Sequence, residues 1–235
     1  MGMRFSKALV FLGVFLMALP AGSTPAPEAE SAELQQILAR VDEVSRTFRS
    51  FSAQLSQKKY TAVLEEFDTP ETGQFHYAVA ADGAVMMRHE IEAPGRRILT
   101  IKGDSAVLYQ PVVRQAQVYA LGKRKNLVEY LGTGLGQSAE KLRARFHIAW
   151  KGNGSVNGQP CAMLEFKPRD PKAAASVSSI TIWFRKSTAT PAQYRIQEPS
   201  GDYLLETFSG EKLNSRLPDG LFEQKLPKGV EVLKF

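Results

Sequence analysis

From Leu34 the chain sets apolar residues at Leu34, Ile37, Leu38, Val41, Val44 and Phe48, with Gln35, Arg40, Glu43 and Arg46 between them. Steps of three and four place the apolar set on one stripe of a helix, which must then be buried. At Phe51 the period changes to two. Phe51, Ala53 and Leu55 alternate with polar neighbours, a second alternation runs through Tyr60, Ala62 and Leu64, and a third through Phe75, Tyr77 and Val79. Asp82-Gly83 is a hairpin signal, after which Met87, His89 and Ile91 share a face opposite Arg88 and Glu90. Pro94-Gly95 and Gly103-Asp104 punctuate further apolar runs at 98–102 and 106–110. Turn signals at this spacing predict a large antiparallel sheet.

A helical interlude follows. Leu127, Val128 and Leu131 precede the glycine-rich run Gly132-Thr133-Gly134-Leu135-Gly136, and Ser138 can cap a short helix carrying Ala139, Leu142 and Phe146. Strands return at 147–151 and, past Gly152-Asn153-Gly154, at 161–166; a Pro/Lys/Ala loop spans 167–175. A strand at 180–184 and a hairpin of 194–198 with 203–208 follow, and Leu217 to Val230 reads as compact apolar turns that dock the chain end. About ten strands and three short helices without βαβ alternation make an α+β fold.

The first residues stand apart. Arg4 and Lys7 lead into the apolar run Ala8 to Leu19, then Pro20 and the small residues Ala21-Gly22-Ser23. A basic start, an apolar core of about a dozen residues and a small-residue exit describe a secretory signal peptide, shorter than the roughly 20 residues of a bilayer span. Cleavage is expected near Ser23, with 24–30 (Thr24-Pro25-Ala26-Pro27-Glu28-Ala29-Glu30) as a linker and 31–235 as a single exported domain.

Charge and chemistry narrow the function by exclusion. The 235 residues carry a net charge of +6, and loss of Arg4 and Lys7 leaves a dispersed excess of about +4, not the concentrated stripe that nucleic acid needs. Lys123-Arg124-Lys125 is the densest basic run and reads as a solvated turn. One cysteine, Cys161, sits in an alternating apolar strand as a small core residue, and the histidines at 76, 89 and 147 form no metal-binding spacing. Neither a nucleophile elbow nor a phosphate loop is present, and the glycines of 132–136 suit a hinge or a tight inter-helix turn. No catalytic constellation emerges, so the chain reads as a non-enzyme without cofactor or metal. A wide sheet with few helices over it can hold an apolar hollow for a hydrophobic ligand, although periodicity does not distinguish a hollow from a filled core.

One further signal lies in the order of residues. Met87-Arg88-His89-Glu90-Ile91-Glu92-Ala93-Pro94-Gly95-Arg96-Arg97-Ile98-Leu99, then Lys102-Gly103-Asp104, Val107-Leu108-Tyr109-Gln110-Pro111 and Gln117-Val118-Tyr119, resembles the LolA family of periplasmic carriers of outer-membrane lipoproteins. Phe51-Ser52-Ala53-Gln54-Leu55-Ser56-Gln57 after the amphipathic helix is similar to the family's opening strand, and 131–136 and 226–230 resemble family segments. The resemblance implies an incomplete, half-closed antiparallel β-barrel of about ten or eleven strands, covered by three short helices around a cavity for acyl chains. It names as cavity wall Leu34, Ile37 and Val41 of the helix and Phe51, Phe75, Tyr77, Met87, His89, Ile91 and Leu99 of the strands. It implies a monomer whose partners are acylated lipoproteins, an inner-membrane ABC-type exporter and an outer-membrane acceptor. A lipoprotein sensor or regulator of RseB type on the same fold is the alternative. Three departures are visible: Ala81-Asp82-Gly83-Ala84 stands where the family often has an Arg-Pro pair, His89 replaces the usual aromatic residue, and the family's Asp-Gly turn is inverted to Gly103-Asp104.

Overall fold

The computed structural model describes residues 31–122, 130 and 132–235. The signal and linker assigned to 1–30, the basic run at 123–125 and the apolar positions at 127, 128 and 131 lie outside the described residues. The described chain is mostly β. Helix α1 (Ala32–Thr47) begins where Ser31 Oγ accepts from the Leu34 N–H, and it buries Leu34, Ile37, Leu38 and Val41, the stripe its periodicity marks. Strands β1 (Ser50–Thr61), β2 (Glu66–Phe67), β3 (Glu71–Val79), β4 (Val85–Ala93), β5 (Arg97–Lys102), β6 (Ser105–Gln110) and β7 (Gln115–Ala120) follow. Then come α2 (Ala139–Arg145), β8 (Phe146–Val156), β9 (Gln159–Pro168), α3 (Pro171–Ala174), β10 (Ser179–Arg185), β11 (Pro191–Gln197), β12 (Tyr203–Leu213) and β13 (Glu231–Lys234).

All thirteen strands form one sheet, in the order β13-β7-β6-β5-β4-β3-β1-β12-β11-β10-β9-β8, with the two-residue β2 paired to β1. The sheet is larger than the ten or eleven strands expected, and it is mixed: β13 runs parallel to β7 while the other pairings are antiparallel. Three local expectations are corrected. Ala62 and Leu64 do not continue a strand but sit in the turn after β1, where Leu64 is exposed. Gly152-Asn153-Gly154 lies inside β8, which bulges between Trp150 and Gly152, and the turn falls instead at Asn157-Gly158. The loop at 167–175 contains α3, capped by Asp170 with Pro171 in its first turn, a start signal that its short length obscures.

The sheet curls. Its concave face carries Phe51, Ala53, Leu55 and Gln57 from β1, Phe75 and Tyr77 from β3, and Met87 and Ile91 from β4, all buried. Strands β3 and β10 are four steps apart, roughly 19 Å in a flat sheet. Both nevertheless meet the glycine-rich turn: a Cβ on Gly132 would run into the Tyr77 ring, and one on Gly134 would lie 2.9 Å from Phe184. Gly134 also has a φ of +83°, which only glycine adopts without strain, so the turn at 132–136 is a packed plug and not a hinge. Tyr194 anchors it by donating its hydroxyl to the Thr133 carbonyl at 2.8 Å. Helix α1 lies towards the β8–β10 side, where Arg40 donates to the carbonyls of Lys186 and Ser187. The convex face of β5–β7 is covered by the C-terminal segment, with Leu226 and Val230 packed on Ile98, Tyr109 and Ala116.

Candidate functional site

On the concave face the side chains do not close completely. A cavity of about 240 Å³ is lined by Gln57, Phe75, Met87, His89, Arg97, Leu99, Leu108, Leu204 and Glu206. These come from β1, β3, β4, β5, β6 and β12, and among the described residues no helix residue lines it. Its apolar part is Phe75, Met87, Leu99, Leu108 and Leu204, of which Phe75 and Met87 are fully buried and the three leucines half-buried. A second hollow of about 320 Å³ lies between α1 and β8–β9, but Glu33, Gln36, Arg40, Asn153 and Lys186 make its lining largely polar. The smaller, greasier hollow is the better ligand site, because a hydrophobic ligand is held by the apolar area it removes from water.

The candidate wall residues divide. Phe75, Met87, His89 and Leu99 meet around the cavity. Leu34, Ile37, Val41, Phe51, Tyr77 and Ile91 do not line it; they are packed in the main core, and Ile37 also touches the polar hollow beside α1. Gln57, Arg97, Leu108, Leu204 and Glu206 were not singled out by the sequence. Their alternation gave a face for each strand, but which faces meet depends on pairings between β1, β12 and β3 that a single sequence does not spell.

Polar groups interrupt the apolar wall. Arg97 donates from both terminal nitrogens to the two carboxylate oxygens of Glu71 at 2.5 Å, and Gln57 Nε2 donates to Glu71 Oε2 at 2.6 Å. Such a bidentate, charge-assisted pair fixes geometry as well as charge. His89 Nε2 lies 3.0 Å from Glu206 Oε1, although two strands separate β4 from β12, so this pair spans the trough. The His89 ring also meets Phe75 edge-on, with centroids 6.1 Å apart. On the opposite face of β4 Glu90 receives Arg88 and Arg96.

The Arg97 guanidinium holds the Glu71 carboxyl below its ordinary value of 4.5, with burial opposing and Gln57 assisting. A carboxyl whose pKa is lowered on folding stabilises the fold above its unfolded pKa, and that contribution disappears as pH falls through the folded value. The stability difference between the wild type and Glu71→Gln is therefore expected to stay constant above about pH 5 and to shrink at more acid pH. Urea unfolding of both proteins across that range checks it; a difference that grows on acidification would contradict the assignment.

Among the described residues no group of three or more His, Cys, Asp or Glu side chains could hold a metal, and no helix is long and apolar enough to cross a membrane. Cys161 is buried, and burial pushes its thiol up, which suits a packing residue.

No protein-family model matches the chain. It is nonetheless distantly homologous, over nearly its whole length, to outer-membrane lipoprotein carrier proteins. Those of Pseudomonas putida GB-1 and Pseudomonas entomophila L48 are each 23% identical, over 202 and 228 residues, covering 80% and 97% of this chain and 92% and 99% of theirs. Among solved structures, an uncharacterized conserved protein from Thermus thermophilus matches with a TM-score of 0.53 and 12% identity, over 86% of this chain and 98% of that one. MucB matches with a TM-score of 0.51 and 15% identity over 83% of this chain, which spans 64% of the MucB chain, less than two thirds of its length. These structural likenesses are likenesses of fold.

Proposed function

We propose that this chain is a periplasmic carrier that shelters the acyl chains of lipoproteins on the concave face of its sheet and ferries them from the inner to the outer membrane. The observation that carries this reading is the apolar hollow of Phe75, Met87, Leu99, Leu108 and Leu204, set in a chain distantly homologous to lipoprotein carriers. Each acyl methylene withdrawn from water is worth about 0.8 kcal/mol, so a chain of roughly 16 carbons brings on the order of 12 kcal/mol to an apolar shelter. A ferry must also release what it binds. At about 240 Å³ the hollow lies under the 300–1,000 Å³ usual for ligand pockets, so a full acyl chain enters only as the wall moves apart. The half-buried leucines and the adaptable thioether of Met87 suit a wall that opens under load and closes behind its cargo. An inner-membrane exporter and an outer-membrane acceptor would complete the route, and no chemical step is needed on this chain.

A sensor or regulator on the same fold is the second reading, favoured by the likeness to MucB. The two readings separate by transfer. Protein isolated from a periplasm is expected to carry acylated lipoprotein and to pass it to outer-membrane vesicles. Preparations free of lipid and lipoprotein would sink both readings, whereas cargo bound but never passed on would leave the sensor.

A further inference from the structure

Within the carrier reading, we propose that the cavity selects amphiphiles whose polar group is neutral and donates a hydrogen bond, an amide N–H or a hydroxyl, over those with an anionic head. The wall is mixed: Phe75 and Met87 form a buried apolar floor, while Gln57, Arg97, Glu206 and His89 bring polar groups to it. Among the described residues of this wall, Arg97 and His89 are the basic ones, and each already faces a carboxylate. Glu71 takes Arg97 on both terminal nitrogens, and Glu206 sits against His89. A carboxylate or phosphate head entering here meets two anions and no unpaired cation, and a charge taken from water without a partner is strongly unfavourable.

The remaining polar group points the same way. Gln57 is 5% exposed, and its Nε2 is committed to Glu71. Its Oε1 is buried and accepts no hydrogen bond. Buried acceptors in folded proteins are nearly always matched by a donor, so this one marks a place where the fold supplies none. As the wall parts to admit a ligand, a neutral group with an N–H or O–H brought beside Gln57 completes the amide's hydrogen bonding, and the nearby Glu206 carboxylate is a further acceptor. An ester or ether carries only acceptors and gains nothing there.

Three ligands with the same tail test this: monopalmitoylglycerol, methyl palmitate and palmitate, each displacing a fluorescent fatty-acyl probe from the full mature chain at neutral pH. Monopalmitoylglycerol is expected to bind about tenfold more tightly than methyl palmitate, the worth of one good hydrogen bond, with palmitate the weakest. In Gln57→Leu, and in Gln57→Met as a closer match in shape, the preference for the glycerol over the methyl ester is expected to collapse towards one. Glu206→Gln is expected to raise palmitate relative to the other two. The wild-type series tests the proposal even where a variant folds poorly, which thermal unfolding reports. Palmitate binding as tightly as monopalmitoylglycerol, or a preference unchanged in both Gln57 variants, overturns it. If all three bind alike, this inference falls and the carrier reading stands; if none binds, both fall.

Discussion

Phe208→Ala is expected to remove about 3–5 kcal/mol of stability and to lower the melting temperature by roughly 6–20 °C. Phe208 is fully buried on β12, and its ring lies 5.5, 5.2 and 5.6 Å from those of Phe51, Phe75 and Tyr194. These four rings come from β12, β1, β3 and β11, so the cluster pins the centre of the sheet where its curvature is set. Truncation leaves a void between side chains whose backbones are held by strand pairing, and such sites collapse little. Urea and thermal unfolding measure the loss; a change under about 1 kcal/mol would mean that the cluster is loose and the trough soft at its centre. Because Phe75 also forms the cavity floor, the same variant is expected to admit bulkier acyl chains at temperatures where it remains folded.

Leu99→Asp is expected to weaken acyl-chain binding by a hundredfold or more while leaving the melting temperature within a few degrees of the wild type. Leu99 is half-buried on β5 and faces the cavity between Arg97 and Leu108. A carboxylate there loses little water in the empty protein, because the site is partly open, but must be stripped of water once an acyl chain enters. The penalty is therefore paired with occupancy and not with folding. Displacement of a fluorescent fatty-acyl probe, with unfolding as control, reads the two effects separately. Undiminished binding would remove the cavity from consideration as the acyl site.

The architecture was legible wherever period and punctuation spoke directly. The α1 stripe at Leu34, Ile37, Leu38 and Val41 is buried as its spacing demands, and the turns at Asp82-Gly83 and Gly103-Asp104 join the strands they separate. The helix C-terminal to Ser138 is capped by that residue. Failures came from contacts distant in sequence. Strand β13 lies parallel to β7, more than a hundred residues away, and short segments such as Glu231–Lys234 carry too little pattern to announce a pairing. The bulge at Trp150/Gly152 hid the second half of β8 because glycines that usually end a strand here let it bend.

The site was only half legible, for the same reason. Alternation places Phe75, Met87, His89 and Leu99 on one face of their strands, and curvature then brings these faces together. Whether an apolar position fills a core or borders a hollow depends on what stands opposite. Opposite Phe51, Tyr77 and Ile91 stand other core side chains, whereas opposite Leu99 stands a gap. Gln57 and Glu206 read as ordinary polar positions in β1 and β12 until the register sets them side by side with Glu71 and His89.

No residue of α1, α2 or α3 borders the hollow, and the glycine turn packs beside Tyr77 and Phe184 instead of roofing it. On the carrier reading, the tasks of staying folded and of fitting a guest fall largely to different side chains of one sheet. A carrier of this build can exchange Leu99, Leu108 or Leu204 to follow a change in its passengers, while the interlocked rings and the helix stripe hold the frame unaltered.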